Sequence, residues 1–174
     1  VAKYRPDDVY VEWSVNEKAA MELAAGAAYA GARSLVTMKQ VGLNVASDPL
    51  MSLEYVGVKG GMVILVADDP GPISRHFSRF SKLPCFDPSS AQEAYEMIQE
   101  AFEYSEKYKT PVFLRPTTRV CHGYATIDIK DKSEYYHNKP EGFIKDSKRW
   151  VIFPKLSFMN HQKIEARNKE LSDV

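Results

Sequence analysis

The chain has 174 residues, which suits one full α/β domain, alone or with an extension. Hydrophobic residues make up 44% and charged residues 26%, the balance expected of a globular protein with an ordinary core. Lys plus Arg and Asp plus Glu number 23 each, and this zero net charge argues against general nucleic-acid or membrane-surface binding.

Val9–Trp13 is a short β-prone run with apolar residues on alternate positions. Ser14-Val15-Asn16 breaks it and offers Asn16 or Ser14 as an N-cap for a helix from Glu17 to Arg33, rich in Ala, Met, Leu, Lys and Glu. Ala20, Ala24 and Ala28 recur every four residues, so one helical face is nearly bare and another backbone or a flat ligand can approach it. Gly31 is placed to end the helix as a C-terminal cap. Ser34–Met38 reads as the next strand, followed by a polar turn at Lys39-Gln40 and a helical stretch from Asn44 to Val58, whole or broken near Pro49. Met62–Ala67 is six apolar residues without alternation, the mark of a strand covered on both faces of a parallel sheet.

Asp68-Asp69-Pro70-Gly71-Pro72 is a strong loop signal. Arg75–Lys82 can form a short helix with Phe77 and Phe80 inward, then Leu83–Phe86 is extended. Ala91–Tyr108 is a helix with Ala94, Ile98, Ala101 and Phe102 inward and Glu93, Glu96, Glu100 and Glu103 on a solvated face. Thr110–Arg115 is the next strand, and Tyr124–Ile129 alternates well enough for one more. Residues 130–174 lose this rhythm and read as a linker or arm ending in a short helix from His161 to Leu171. They hold 10 basic and 7 acidic side chains against 13 and 16 in residues 1–129, too small an asymmetry to name a partner. Strands alternating with helices at this spacing imply βαβ units and a mostly parallel sheet flanked by helices in three layers.

Candidate chemistry is sparse. Cys85 and Cys121 are far apart, read as free and mostly buried thiols, and cannot form a four-thiolate cluster or zinc site by themselves. The four histidines lie apart without metal-ligand spacing. The glycines at 57, 60 and 61 fit no phosphate-cradling pattern, and no Gly-x-Ser-x-Gly elbow occurs. Asp68-Asp69 reads as a solvated strand-end turn rather than a metal site. Arg115 and Arg119 follow a core strand and can bind an anion or pair with nearby carboxylates. In open parallel sheets ligands sit beyond the carboxyl ends of the strands, which singles out the loops at 14–18, 37–44 and 67–74. Glu17 opens a helix there, where an acid also simply complements the helix dipole. The start of the chain has no apolar run, and Ala19–Val36 is interrupted by Glu22 and Arg33, so the chain reads as cytoplasmic.

Residues 11–33 (Val-Glu-Trp-Ser-Val-Asn-Glu-Lys-Ala-Ala onward), 36–50, 59–70 and 110–120 together resemble, in order, the pyrimidine-binding domain of the indolepyruvate ferredoxin oxidoreductase α subunit. The resemblance implies a thiamine-diphosphate pyrimidine-binding domain over 1–129 and an extension toward the next domain over 130–174. It also implies that Glu17 hydrogen-bonds the aminopyrimidine of thiamine diphosphate and helps generate the carbanion that attacks a 2-oxoacid. Carbon dioxide then leaves, electrons pass through iron–sulfur clusters to ferredoxin, and coenzyme A captures the acyl group. The loop 39–44 would lie near the pyrimidine or substrate, with Val41, Gly42 and Asn44 as cofactor-pocket residues. Glu17 is expected to be shielded from water in the assembled enzyme.

Two departures stand out. The family's subunit begins with a further βα unit, and this sequence is expected to start after it. Its polar segment after Asp-Asp-Pro is replaced here by a direct step from Ile73-Ser74 to Arg75-His76, either a shortened loop or residues missing at that point. Neither a Gly-Asp-Gly…Asn pattern for Mg²⁺ and diphosphate nor a ferredoxin-like cysteine run occurs, so Mg²⁺ and 4Fe-4S clusters would belong to other parts. The partners implied are the diphosphate-binding domain of the same subunit, a β subunit, ferredoxin, coenzyme A and a second or further copy in an oligomer, with no nucleic acid or membrane. A non-oxidative thiamine-dependent 2-oxoacid decarboxylase uses the same domain type, and a non-catalytic α/β interaction module could keep the fold with Glu17 exposed and no cleft beside it.

Overall fold

Asn16 starts the first helix by accepting a hydrogen bond from the Ala19 N–H at 2.8 Å, satisfying one of the unpaired donors of the first turn. The structure is a computed structural model, and it describes residues 9–70, 73–135 and 139–172. Helix α1 (Glu17–Tyr29) ends as the sequence predicts, on Gly31 at φ +90°. The Gly31 N–H reaches the Ala28 carbonyl at 3.1 Å and the Ala32 N–H reaches Ala27 at 3.0 Å, the paired bonds of a Schellman cap.

After this turn come β1 (Ser34–Lys39), α2 (Gln40–Val45), α3 (Ser47–Val56) and β2 (Met62–Ala67). Then follow α4 (Ile73–Ser81), β3 (Cys85–Phe86), α5 (Ala91–Tyr108) and β4 (Val112–Leu114). The last helices are α6 (Thr118–His122), α7 (Ser147–Trp150) and α8 (Pro154–Ser172). The four strands form one parallel sheet in the order β1-β2-β4-β3.

The strand period of two divides the side chains between two covered faces. Met62, Ile64 and Val66 of β2 and Phe113 of β4 join α1, α2 and α3 through Met21, Ala25, Ala28, Leu43, Leu50 and Leu53. Val63, Val112 and Leu114 face the other way onto α5, where Ala101, Met97, Ile98 and Phe102 meet them. The result is the expected three-layer arrangement of helices, mostly parallel sheet and helix. At the β1 edge only one face is covered: Val36 and Met38 point into the core while Leu35, Thr37 and Lys39 are exposed.

The bare alanine face admits a backbone at its last position. The Ala28 carbonyl accepts from the N–H groups of Lys59 and Gly60, and a Cβ on Gly60 would lie 2.2 Å from the Ala32 carbonyl oxygen.

Several elements differ from the sequence reading. Val9–Trp13 is not a strand: no described strand pairs with it, and Tyr10 and Trp13 stand in solvent. Tyr124–Ile129 likewise runs as irregular chain, because its successor backbone is held by side chains of α5 instead of a ladder. Gln92 brackets Asp128 through both its amide atoms, and the Tyr95 hydroxyl accepts from the Lys130 N–H.

The break in the second helical region falls at Ala46, not Pro49, which sits in the first turn of α3 where no N–H is needed. Phe80 faces outward while Phe77 packs on the core. Both cysteines are free and exposed, against the expectation of burial. Ser74 and Arg75 are consecutive residues of α4, and Gly71, Pro72 and His137 lie outside the described residues.

The final helix is longer than predicted and is docked rather than free. Leu156, Asn160 and Ile164 of α8 are buried, and the Asn160 amide donates to the Tyr55 carbonyl at 3.0 Å. Ahead of it the Gly142 N–H reaches the Ala30 carbonyl at 2.9 Å, Arg149 reaches the Val58 carbonyl at 3.1 Å, and Trp150 packs against Tyr29.

Candidate functional site

Two of the four sequence-selected residues meet. Glu17 is the first residue of α1, half-buried, and Gly42 is buried in α2, which begins directly at the carboxyl end of β1. A Cβ built on Gly42 would lie 2.5 Å from Glu17 Cγ, 2.7 Å from Oε1 and 2.9 Å from Cδ. The Glu17 side chain therefore rests in the hollow left by the glycine. Among the described residues, no side chain or backbone group donates a hydrogen bond or ion pair to its carboxyl group. Val41 and Asn44 occupy the outer side of the same short helix, both exposed, with Val45 beside them, while Leu43 is locked in the core.

A carboxyl group at a helix start, open to solvent on one side and backed by a residue without a side chain, can meet a nitrogen of a flat ring. A carboxyl group with one open side is the chemistry that the aminopyrimidine half of thiamine diphosphate would need, while the room Gly42 leaves is taken up by the Glu17 side chain itself.

Beyond this pair the carboxyl end of the sheet holds a charge network that sequence reasoning placed only in part. Arg115, directly after β4, is buried and donates from Nη1 to Asp68 and from Nη2 to both oxygens of Asp87 at 2.6 Å. Arg75 adds a bond to Asp87 at 2.7 Å. The pairing reading of Arg115 holds. Asp68, by contrast, is not a solvated turn residue: its side chain is almost wholly buried by Arg115. The signal in the sequence was an acid directly after one core strand and an arginine directly after another. Since β2 and β4 are parallel neighbours, their carboxyl ends coincide.

Asp69 keeps partial exposure, with Lys39 Nζ at 3.9 Å and the Gln40 amide at 3.5 Å. An open cleft of about 700 Å³ lies over this network, lined by Asp68, Asp69, Pro70, Arg75, Arg115, Thr117, Thr118 and Arg119. Among the described residues, no three His, Cys, Asp or Glu side chains are grouped to hold a metal ion.

Burial works against the charged form of Asp87, but the guanidinium groups of Arg115 and Arg75 outweigh it and hold its carboxyl below the usual aspartate range. With the folded value depressed, the stability from this contact is complete above the unfolded value of about 3.9 and is lost as pH falls through the lower folded value. Urea midpoints measured between pH 5 and pH 2.5 should fall toward the acid side, and Asp87→Asn should flatten that part of the curve. An unchanged slope in the variant would refute the contribution.

No protein-family model matches the chain. It is 46% identical over 171 residues to the indolepyruvate oxidoreductase subunit IorA of Methanothermobacter thermautotrophicus, an alignment covering 94% of this chain and 27% of that protein. Subunits of the same name from Pyrococcus abyssi and Thermococcus kodakarensis are each 41% identical, over 88% and 95% of this chain and 25% and 28% of theirs. Among solved structures, the 2-oxoglutarate:ferredoxin oxidoreductase from Magnetococcus marinus superposes with a TM-score of 0.67. That match has 12% identity, covers 99% of this chain and 39% of the other, and shows the fold. Among the described residues, no helix is long and apolar enough to cross a membrane. The chain spans about a quarter of the length of the relatives it matches, and over that segment it is a homologue of the indolepyruvate oxidoreductase IorA subunits.

Proposed function

We propose that this chain is the pyrimidine-side half of a thiamine-diphosphate site in a 2-oxoacid:ferredoxin oxidoreductase of the indolepyruvate type. The observation that carries the reading is the Glu17 carboxyl group, seated on Gly42 at the carboxyl edge of the sheet with no described partner. When bound, thiamine diphosphate supplies the carbanion that makes decarboxylation of a 2-oxoacid accessible.

The chain's own task is to hold and move one proton. Glu17 would hold the proton to be shared with a ring nitrogen of the aminopyrimidine, and Asn16 fixes the start of the helix that presents it. Gly42 leaves the space, while Val41 and Asn44 offer an apolar and an amide contact on the exposed side of α2. Residues 1–129 form the pyrimidine-binding domain in this reading, and 130–174 an extension that docks on it. The diphosphate-binding domain, Mg²⁺, the 4Fe-4S clusters and a β subunit belong to the remainder of an oligomeric cytoplasmic enzyme, with coenzyme A and ferredoxin as its acceptors.

The test is a turnover assay of the assembled full-length enzyme with indolepyruvate, pyruvate and 2-oxoglutarate. Acceptor reduction that requires both coenzyme A and indolepyruvate is expected. Release of carbon dioxide without any electron acceptor would instead identify a non-oxidative decarboxylase, and no turnover of any 2-oxoacid would leave an interaction module.

A further inference from the structure

We propose that Gly42 is a positioning residue: its missing side chain, rather than any contact of its own with a cofactor, sets where the Glu17 carboxyl group stands. This rests on Glu17 being the cofactor-facing acid. Glycine is disfavoured in a helix relative to alanine, so its presence in the six-residue α2 calls for a cause. Backbone conformation is not the cause. The described glycines with positive φ are Gly31, Gly57 and Gly142, and Gly42 is helical. Its surroundings are the cause, because all three of the nearest atoms a Cβ would meet belong to the side chain of Glu17.

What those atoms are decides the consequence. At Gly60 an added Cβ strikes backbone, the Ala32 carbonyl oxygen at 2.2 Å and Gly31 C at 2.5 Å, so the fold itself must give. At Gly42 it strikes Cγ, Cδ and Oε1 of one glutamate, which can rotate away. An ordinary carbon–carbon contact is about 3.5–4 Å, so the side chain at 2.5 Å must retreat by roughly 1 Å or change rotamer. No described group holds the carboxyl by a hydrogen bond, so the retreat breaks none among the described residues. Gly42→Ala is therefore tolerated by the fold and damaging to the acid it displaces, the reverse of Gly60→Ala.

Three measurements test this. In the 174-residue chain, Gly42→Ala should keep its unfolding temperature within a few degrees of the parent while Gly60→Ala lowers it clearly. The ¹³C resonance of the Glu17 carboxyl, assigned by comparison with Glu17→Gln, should move in Gly42→Ala. In the assembled full-length enzyme the same variant should lose turnover on the order of 100-fold, the usual result of a misplacement near 1 Å. An unmoved carboxyl resonance, or turnover equal to the parent, overturns the proposal. If Gly42→Ala alone fails to fold, the double variant Glu17→Ala/Gly42→Ala should fold again, and a double variant that also fails overturns the proposal. The function is tested separately: a Glu17→Gln enzyme with normal turnover sinks the reading of Glu17 but leaves the carboxyl displacement intact. An inactive Glu17→Gln with a fully active Gly42→Ala sinks the positioning role alone.

Discussion

Glu17→Gln in the full-length enzyme is expected to lower 2-oxoacid turnover by about 10²–10⁴-fold, with thiamine-diphosphate affinity changed by only a few-fold. Glutamine keeps the length of the side chain and its fit over Gly42, so the packing seen at Cγ and Cδ survives. What it removes is the group that can take and return a proton. A neutral amide can still accept or donate one hydrogen bond to the ring, which is why binding persists while proton transfer does not. Binding and chemistry therefore separate in this variant. Cofactor titration followed by single-turnover decarboxylation distinguishes them. A variant that binds poorly but turns over normally once saturated would assign Glu17 to affinity alone.

Arg115→Met is expected to destabilise the chain by about 3–5 kcal/mol, the usual cost of breaking one side of a buried ion pair. The arginine is 6% exposed and its partner Asp68 is 2% exposed, so the abandoned carboxylate has no water to turn to. Asp68 also anchors the ends of two strands through its backbone: its N–H reaches the Pro116 carbonyl at 3.0 Å, and its carbonyl accepts from the Thr118 N–H and hydroxyl, each at 2.9 Å. A second substitution, Asp68→Asn, should recover part of the loss, since the charge left behind causes most of it. Urea unfolding at neutral pH measures both. A loss below about 1 kcal/mol for Arg115→Met, the range of an exposed pair, would mean the network is solvated in solution.

How far the sequence carried the structure depended on whether a signal was local. The cap at Asn16, the Schellman turn at Gly31 and the bounds of the helix Ala91–Tyr108 rest on neighbouring residues, and all were readable. The short helix Gln40–Val45 was not, because Val41, Gly42 and Val45 are poor helix formers and tertiary packing of Leu43 and Gly42 supports them. Alternation at Val9–Trp13 and Tyr124–Ile129 suggested strands, yet alternation only prepares a chain to pair and cannot supply a partner.

The site divides the same way. The resemblance points to Glu17 and Gly42 separately, but their contact crosses 25 positions and only the fold reveals it. The burial of Asp68 depended on Arg115, 47 positions away.

The docked arm has a consequence for the order in which the molecule comes together. Its anchors join residues far apart in the chain, Gly142 to Ala30, Arg149 to Val58 and Asn160 to Tyr55, with separations of up to 112 positions. Each closes a long loop whose entropy must be surrendered before the contact repays it, and the repayment comes from these hydrogen bonds together with the burial of Leu156 and Ile164 and the packing of Trp150 on Tyr29. On a ribosome the sheet and α1–α5 would be complete while residues 139–172 were still being made. The arm is thus the last piece to be made, and it closes on the flank of α1 and α3 only after the helices that carry Glu17 and Gly42 are already in the chain.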